Sequence, residues 1–347
     1  MALEGRALLD AVIVGAGPIG IEMAAALKRE GLSYVQIERG YLGQTIFNYP
    51  PDTRFFSSPE RIAIAGIPLL TLDQNKATRE EYLTYLRSVV VQLQLNINFS
   101  ESVESISKDK GTFTVRTKHA QTGNEAQYQA RNVILAIGDM HKYRMLGIPG
   151  EERSNVSHAM RDPHTYLGQR VLIVGGKNSA AEAAIRLYRV GAHVSLSYRK
   201  AELPSESIKY WILPELKALI NSGMIKFYPS SNVTEIGADR ASLATEQGAV
   251  TIALDYALLL TGYVMDPWLY KLCGIKTSPE NDQPQWKADT METNVPGIYV
   301  AGTAAAGTQK PYRYFIENCH EHVERIVAAI TGKPASGFRR FFELPES

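Results

Sequence analysis

Along this chain, short blocks of unbroken apolar residues alternate with longer stretches of three- and four-residue hydrophobic spacing. Asp10-Ala11-Val12-Ile13-Val14-Gly15 is apolar from Ala11 to Val14. Such a run suits a strand covered on both faces, as in a parallel sheet, rather than a strand with one wet face. It leads directly into Gly15-Ala16-Gly17-Pro18-Ile19-Gly20 and then into an Ala-, Met- and Leu-rich helical pattern that stops at Gly31. Ser33 to Glu38 follows as a second strand. The whole forms a β-α-β unit of about 30 residues. Because the opening apolar run passes straight into the glycine motif, it reads as a core strand and not as a signal peptide.

Residues 41–70 are rich in prolines and aromatics and read as loop. Tyr82, Leu83, Leu86, Val89, Val90 and Leu93 share helical spacing, which predicts an amphipathic helix over 78–93. Alternating segments up to residue 118 predict a small antiparallel meander. Asn132 to Gly138 is another buried strand, and 139–153 reads as a linker containing Gly147, Pro149 and Gly150.

The opening pattern then returns, 160 positions on. Arg170 to Gly175 is a strand, Gly175 to Ala180 a glycine-rich turn, Ala181 to Val190 a helix stopped by Gly191, and Ala192 to Tyr198 a strand. A single repeat at this distance means two related domains and not a solenoid. Asp255 to Gly262 closes the second unit as Asn132 to Gly138 closes the first. Gly297 to Gly302 adds a strand, and a helix over about 312–331 returns the chain to the first domain. The predicted class is α/β, with two Rossmann-like three-layer dinucleotide-binding domains, the second inserted into the first. The first would comprise 1–140 and 286–347, with 333–347 as a loose tail, and the second 153–285.

Composition narrows the function. A formal net charge of +1 over 347 residues favours neither nucleic acid nor an anionic membrane as partner. No apolar stretch reaches about 18 residues, so no spanning helix is expected, and a cytoplasmic protein follows. The two cysteines, Cys273 and Cys319, form no C-x-x-C, so the chain carries neither a dithiol pair nor a zinc knuckle. No metal site is expected: His322 shares a helix face with Cys319, but two groups are too few ligands.

The first loop is a complete G-x-G-x-x-G between strand and helix. Gly15 allows the tight turn, Gly17 lets a pyrophosphate approach the backbone, and Gly20 lets helix and strand pack. Pro18 and Ile19 open a helix whose N–H groups and dipole would face the phosphates. Glu38, 18 residues after Gly20, stands where an acid accepts hydrogen bonds from an adenosine ribose. The second loop, Gly175-Gly176-Lys177-Asn178-Ser179-Ala180, is irregular, with Lys177 in place of the middle glycine. Its second strand ends in Tyr198-Arg199-Lys200 with no acid. An Arg there accommodates a 2′-phosphate, which favours NADP over NAD. Two dinucleotide sites on one chain serve to bring a nicotinamide against a flavin for hydride transfer.

The order GAGPIG, Glu38, NVILAIG, a second glycine loop and GIYVAG resembles the thioredoxin-reductase-like flavoproteins over nearly the whole chain. Within them, Ile46 to Pro50, Phe55 to Ser58, GGKNSA, Ile208 to Pro214 and Phe315 to Asn318 resemble the bacillithiol-disulfide-reductase family. The resemblance implies FAD on the first domain, NADPH on the second, and a homodimer. The expected FAD contacts are Gly15, Gly17, Pro18, Ile19, Gly20, Glu38, Arg39, Asn48, Gly138, Gly302 and Thr303. The NADPH set is Gly175 to Ala180 with Arg199, Lys200 and Gly262. Phe47, Tyr49, Phe55 and Phe56 are candidates to pack near the flavin ring.

Departures from the family bear on the substrate. The family carries a cysteine where this chain has Ile19, which is no nucleophile. The place of the thioredoxin reductases' C-x-x-C is held by His158-Ala159-Met160-Arg161, and Thr303 stands where many relatives have an Asp for the ribityl chain. The remaining catalytic candidates are Cys319 and His158. The expected acceptor is a small molecule or small redox protein. A low-molecular-weight disulfide stands beside a ferredoxin- or quinone-type reductase and a flavin-containing-monooxygenase-like enzyme. The last is demoted because Glu152 and Ser154 replace the Phe and Gly of its fingerprint.

Overall fold

The computed structural model describes residues 8–310 and 312–338 and divides into two units. The first comprises the chain up to Lys142 and from Val264 on; the second is Tyr143–Tyr263. The part of the predicted tail beyond residue 338 lies outside the described residues.

The first unit is built on a seven-stranded sheet. Ile97–Asn98, Tyr34–Ile37, Leu9–Val14 and Glu125–Leu135 lie side by side in parallel. Ala11 to Val14 are all buried, as an unbroken apolar run in a parallel sheet requires. Glu125–Leu135 is longer than the predicted strand because it serves two neighbours. Its first half pairs antiparallel with Thr112–His119, which pairs with Glu101–Asp109. Its second half runs parallel to both Leu9–Val14 and Ile298–Val300.

Two helices border this sheet. Pro18–Arg29 starts at the glycine loop, and Arg79–Gln92 begins with a reciprocal cap in which the Thr78 hydroxyl accepts from Glu81 N–H and Glu81 accepts from Thr78 N–H.

The second unit carries a five-stranded parallel sheet. Its order is Lys226–Tyr228, His193–Ser197, Arg170–Val174, Tyr256–Leu259 and Val156–Ser157. A separate antiparallel meander, Asn232–Ile236, Arg240–Thr245 and Gly248–Ala253, shares an apolar cluster with Leu172, Val174, Ala257 and Leu259 of the five-stranded sheet. Lys142–Tyr143 and Tyr263–Val264, where the chain passes between units, pair as a two-stranded ribbon. Among the described residues, no helix is long and apolar enough to cross a membrane.

Three expectations are corrected. Residues 264–285 belong to the first unit, because Met265, Leu269, Tyr270 and Ile275 bury themselves in its core. Residues 143–152 belong to the second, where Pro149 O accepts from Ile236 N–H (3.0 Å) and Ile148 joins the meander's cluster. The last helix starts at His320, not 312. Before it, side chains take the backbone groups that a helix would use. Gln309 Oε1 accepts from Arg313 and Tyr314 N–H, and Asn318 accepts from Phe315 N–H while donating to Arg313 O.

Candidate functional site

The two β-α-β units repeat each other bond for bond at the offset of 160. Gly15 N–H donates to Ile37 O, and Gly175 N–H to Ser197 O. Ile21 N–H closes on Gly17 O as Ala181 N–H does on Lys177 O. Gly31 N–H bonds to Lys28 O, and Gly191 N–H to Tyr188 O. Glu38 and Tyr198 therefore hold equivalent positions, as do Ala16 and Gly176, Gly17 and Lys177, and Ile19 and Ser179.

In the first loop the glycines have separate reasons. Gly15 has φ +108°, and a Cβ there would lie 2.4 Å from Ala136 O. A Cβ at Gly20 would lie 2.3 Å from Gly15 O. Both are demanded by the fold itself. At Gly17 nothing lies within 4 Å. The space over Gly17 is open, and the helix behind it begins without a side-chain cap. Open room, an uncapped helix N-terminus and a buried acid together fit a dinucleotide diphosphate. The acid is Glu38: one carboxylate oxygen accepts from Ala16 N–H and the other from Gly40 N–H, both at 2.8 Å. Arg39 beside it is exposed.

The ends of two neighbouring parallel strands complete this site. Gly138 takes φ +73° and Gly302 φ +71°. Ile19 is buried against Gly302, whose Cβ position lies 3.3 Å from the Ile19 Cβ. Ile19 thus packs on the loop that follows the last strand. That loop, Gly302–Ala306, has its carbonyls tied down one after another: Ala304 O by the Tyr270 hydroxyl (2.6 Å), Ala305 O by Trp286 Nε1 (2.9 Å), and Ala306 O by Asn281 Nδ2 (3.1 Å). With its carbonyls held, the loop's peptide planes are fixed in orientation.

Thr303 is bonded through its hydroxyl to the Asp139 carboxyl, which also accepts from Gln309 Nε2 (2.8 Å). Burial raises the proton affinity of Asp139, only partly offset by these bonds. His322 is buried, and its Nδ1 accepts from Gly302 N–H (3.1 Å). Burial, followed by the Arg325 charge, lowers its pKa to about 4, so the ring is neutral.

The second loop is arranged differently. A Cβ at Gly175 would strike Leu260 O at 2.5 Å, matching Gly15. Gly176, however, lies under the ring of Tyr198, whose carbons would stand 2.4 Å from a Cβ. Lys177 is the residue before the helix Asn178–Arg189, which also begins without a side-chain cap. Lys177 and Ser179 are exposed and Ala180 is buried. Asn178 Oδ1 is turned to Lys209 N–H (2.6 Å), and Lys209 is itself buried and paired with Glu182 at 3.1 Å. Arg199 and Lys200 are exposed after Tyr198, and Gly262 has φ +98° with open space around it.

The remaining candidates have the following surroundings. Cys319 is fully buried and precedes the last helix rather than lying within it. Burial, then the Asp139 and Glu22 charges, pushes its thiol up, away from thiolate. Cys273 is pushed up to about 12 by burial. His158 stacks on Tyr143 with centroids 5.2 Å apart and faces Glu151 at 3.8 Å. Asn48 is exposed and accepts from Gln44 (2.9 Å). Of the aromatics, Phe55 packs on Tyr82 and Tyr49, whereas Phe47 and Phe56 are exposed. Sequence reading passed over Asp139, Gln309, Tyr270, Asn281 and Trp286. The one signal was an acid directly after Gly138.

The family described as pyridine nucleotide-disulphide oxidoreductase matches residues 12–302. The bacilliredoxin reductase Bdr of Bacillus subtilis is 34% identical over 92% of this chain and 97% of its own length. The structure of the bacillithiol disulfide reductase Bdr of Bacillus cereus superimposes with a TM-score of 0.89 at 34% identity, covering 94% of this chain and 99% of that one. A ferredoxin–NADP reductase of Ignicoccus hospitalis is 29% identical over 92% of this chain and 96% of its own length. The chain belongs to the pyridine nucleotide-disulphide oxidoreductase family, and it is an NADPH-dependent flavoprotein oxidoreductase built from two Rossmann-like domains.

Proposed function

We propose that the first unit holds FAD, that the second holds NADPH, and that electrons leave to a small acceptor which meets the flavin without help from a protein thiol. When bound, NADPH would supply a hydride and the flavin would pass the electron pair onward. The rest of the reading concerns what this chain's residues do. Gly17 leaves room for the diphosphate at the helix start, and Glu38 accepts from the adenosine ribose while tying down the loop. The Gly302–Ala306 loop, clamped by Tyr270, Trp286 and Asn281, presents fixed peptide groups to the flavin.

The observation that carries the reading is the bond-for-bond repeat of two nucleotide loops. One has an acid at the ribose position and the other an Arg beside it.

A low-molecular-weight disulfide, of the kind that Bdr's name gives it, is the favoured acceptor. Its reduction takes two electrons and two protons and yields two thiols. Ile19 is no nucleophile, and burial holds the Cys319 and Cys273 thiols away from thiolate, so the reading includes no mixed disulfide with the protein. Cys319→Ser should leave turnover of any disulfide acceptor within about twofold. A loss of tenfold or more in that turnover, with flavin content unchanged, would assign the thiol a redox role. Ile19 at the loop position where a thiol would meet a disulfide also favours a second reading, an electron-carrier reductase like the ferredoxin–NADP reductase relative. NADPH oxidation measured in parallel with small disulfides, quinones and ferredoxin separates the two.

A further inference from the structure

The repeat places Tyr198 where the first unit has Glu38, and Gly176 where it has Ala16. In the first unit the small side chain of Ala16 is buried, and the acid reaches across to bond the Ala16 N–H at 2.8 Å. In the second unit both members have changed together. The acid has become an aromatic ring, and the alanine has become the glycine on which that ring lies, with ring carbons 2.4 Å from the absent Cβ. Tyr198 is only 8% exposed, so the ring is a packed part of the loop and not a surface side chain. The two pairs are volume-compensated alternatives: small side chain with acid, or glycine with ring.

We infer that the Gly176–Tyr198 pair is a specificity-determining element. By occupying the acid's place, the ring removes the acceptor that an unmodified ribose needs. It leaves an uncharged face flanked by Arg199 and Lys200, which selects a dinucleotide carrying a 2′-phosphate. The physical basis is a difference of two terms. A carboxylate at this position accepts hydrogen bonds from a ribose diol and repels a phosphate. A neutral ring does neither, and the adjacent cations then reward the phosphate. The extra glycine of the second loop has the same explanation, since Gly176 is kept for the ring and not for the ligand. The inference rests on the second unit being the NADPH site, and it adds that Arg199 does not act alone.

The test is equilibrium binding of NADP+ and NAD+, measured calorimetrically on the full-length protein. It compares the wild type, Tyr198→Glu, and the double variant Gly176→Ala with Tyr198→Glu. The double variant rebuilds the first unit's arrangement, in which a methyl group fills the ring's place and the carboxylate meets the loop N–H. It should therefore melt at a higher temperature than the single variant, which has the hole without the methyl. The ratio of NADP+ to NAD+ affinity should fall at least about 100-fold in the double variant, with NAD+ binding improved in absolute terms. A double variant that melts cooperatively and keeps the wild-type ratio would overturn the inference and leave the preference to Arg199 and Lys200. If the wild type bound neither nucleotide, the assignment of the second site itself would fall, a different and recognisable result.

Discussion

Glu38→Ala should give a folded protein that is purified without colour and whose affinity for added FAD is lower by roughly 100- to 1000-fold. Glu38 is 8% exposed and spends both carboxylate oxygens on backbone N–H groups, those of Ala16 and Gly40. Hydrogen bonds to a charged group are worth about 1.5–3 kcal/mol each, and a buried donor left without a partner costs a similar amount. Alanine removes two such bonds and, with them, the acceptor for the adenosine ribose. The net loss is roughly 3–5 kcal/mol, shared between loop stability and binding. Glu38→Gln should be milder, because the amide keeps one acceptor oxygen. Flavin-to-protein ratio and a fluorescence titration with FAD read the binding loss, and melting of the flavin-free proteins reads the loop's share. An alanine variant that stays yellow with wild-type affinity would remove Glu38 from the flavin site.

The second large effect is a pH dependence of stability carried by His322. Its ring is buried and uses Nδ1 to accept from Gly302 N–H, which requires that nitrogen to be unprotonated. The ordinary histidine value is near 6.5, and burial lowers this one to about 4. Between those values the unfolded chain takes up a proton that the folded chain refuses. Stability is thus complete above about pH 6.5 and is lost as pH falls toward about 4. At 1.36 kcal/mol per tenfold change in proton affinity, the full effect is about 3 kcal/mol. His322→Gln keeps a carbonyl oxygen for the Gly302 N–H and has nothing to titrate. Denaturant unfolding of both proteins across this range should show the wild type losing more stability on acidification. Parallel curves for the two proteins would show that His322 does not carry the loss.

What the sequence revealed follows how local each feature is. The glycine loop, its helix and Glu38 are set by residues within one β-α-β unit, and every part was readable from spacing. The repeat was readable because the two units keep one offset from loop to second strand. The domain boundary at 263 was not. Residues 264–285 contain only the five-residue helix Trp268–Leu272, too short to show an apolar face, so their docking onto the first unit's core left no periodic mark. The same segment brings Tyr270 and Asn281, together with Trp286 directly after it, to the Gly302–Ala306 carbonyls, contacts that only the fold creates. The last helix starts eight residues after the predicted 312 because Gln309 and Asn318 take the backbone groups before it. The departure at Thr303 looks like a lost carboxylate, yet Asp139 places one against the Thr303 hydroxyl from the loop after the neighbouring strand. In the second loop, Lys177 looked like the irregularity. The more telling change was Gly176 under Tyr198, which needs three dimensions to see.

The central claim is that one chain binds both nucleotides and passes electrons from one to the other. The most direct test is an anaerobic titration of the purified protein with NADPH, followed by visible absorption. A yellow protein whose flavin band bleaches stoichiometrically with NADPH, and much more slowly with NADH, is the predicted result. A protein that takes up no FAD, or whose bound flavin stays oxidised in excess NADPH, would contradict the account.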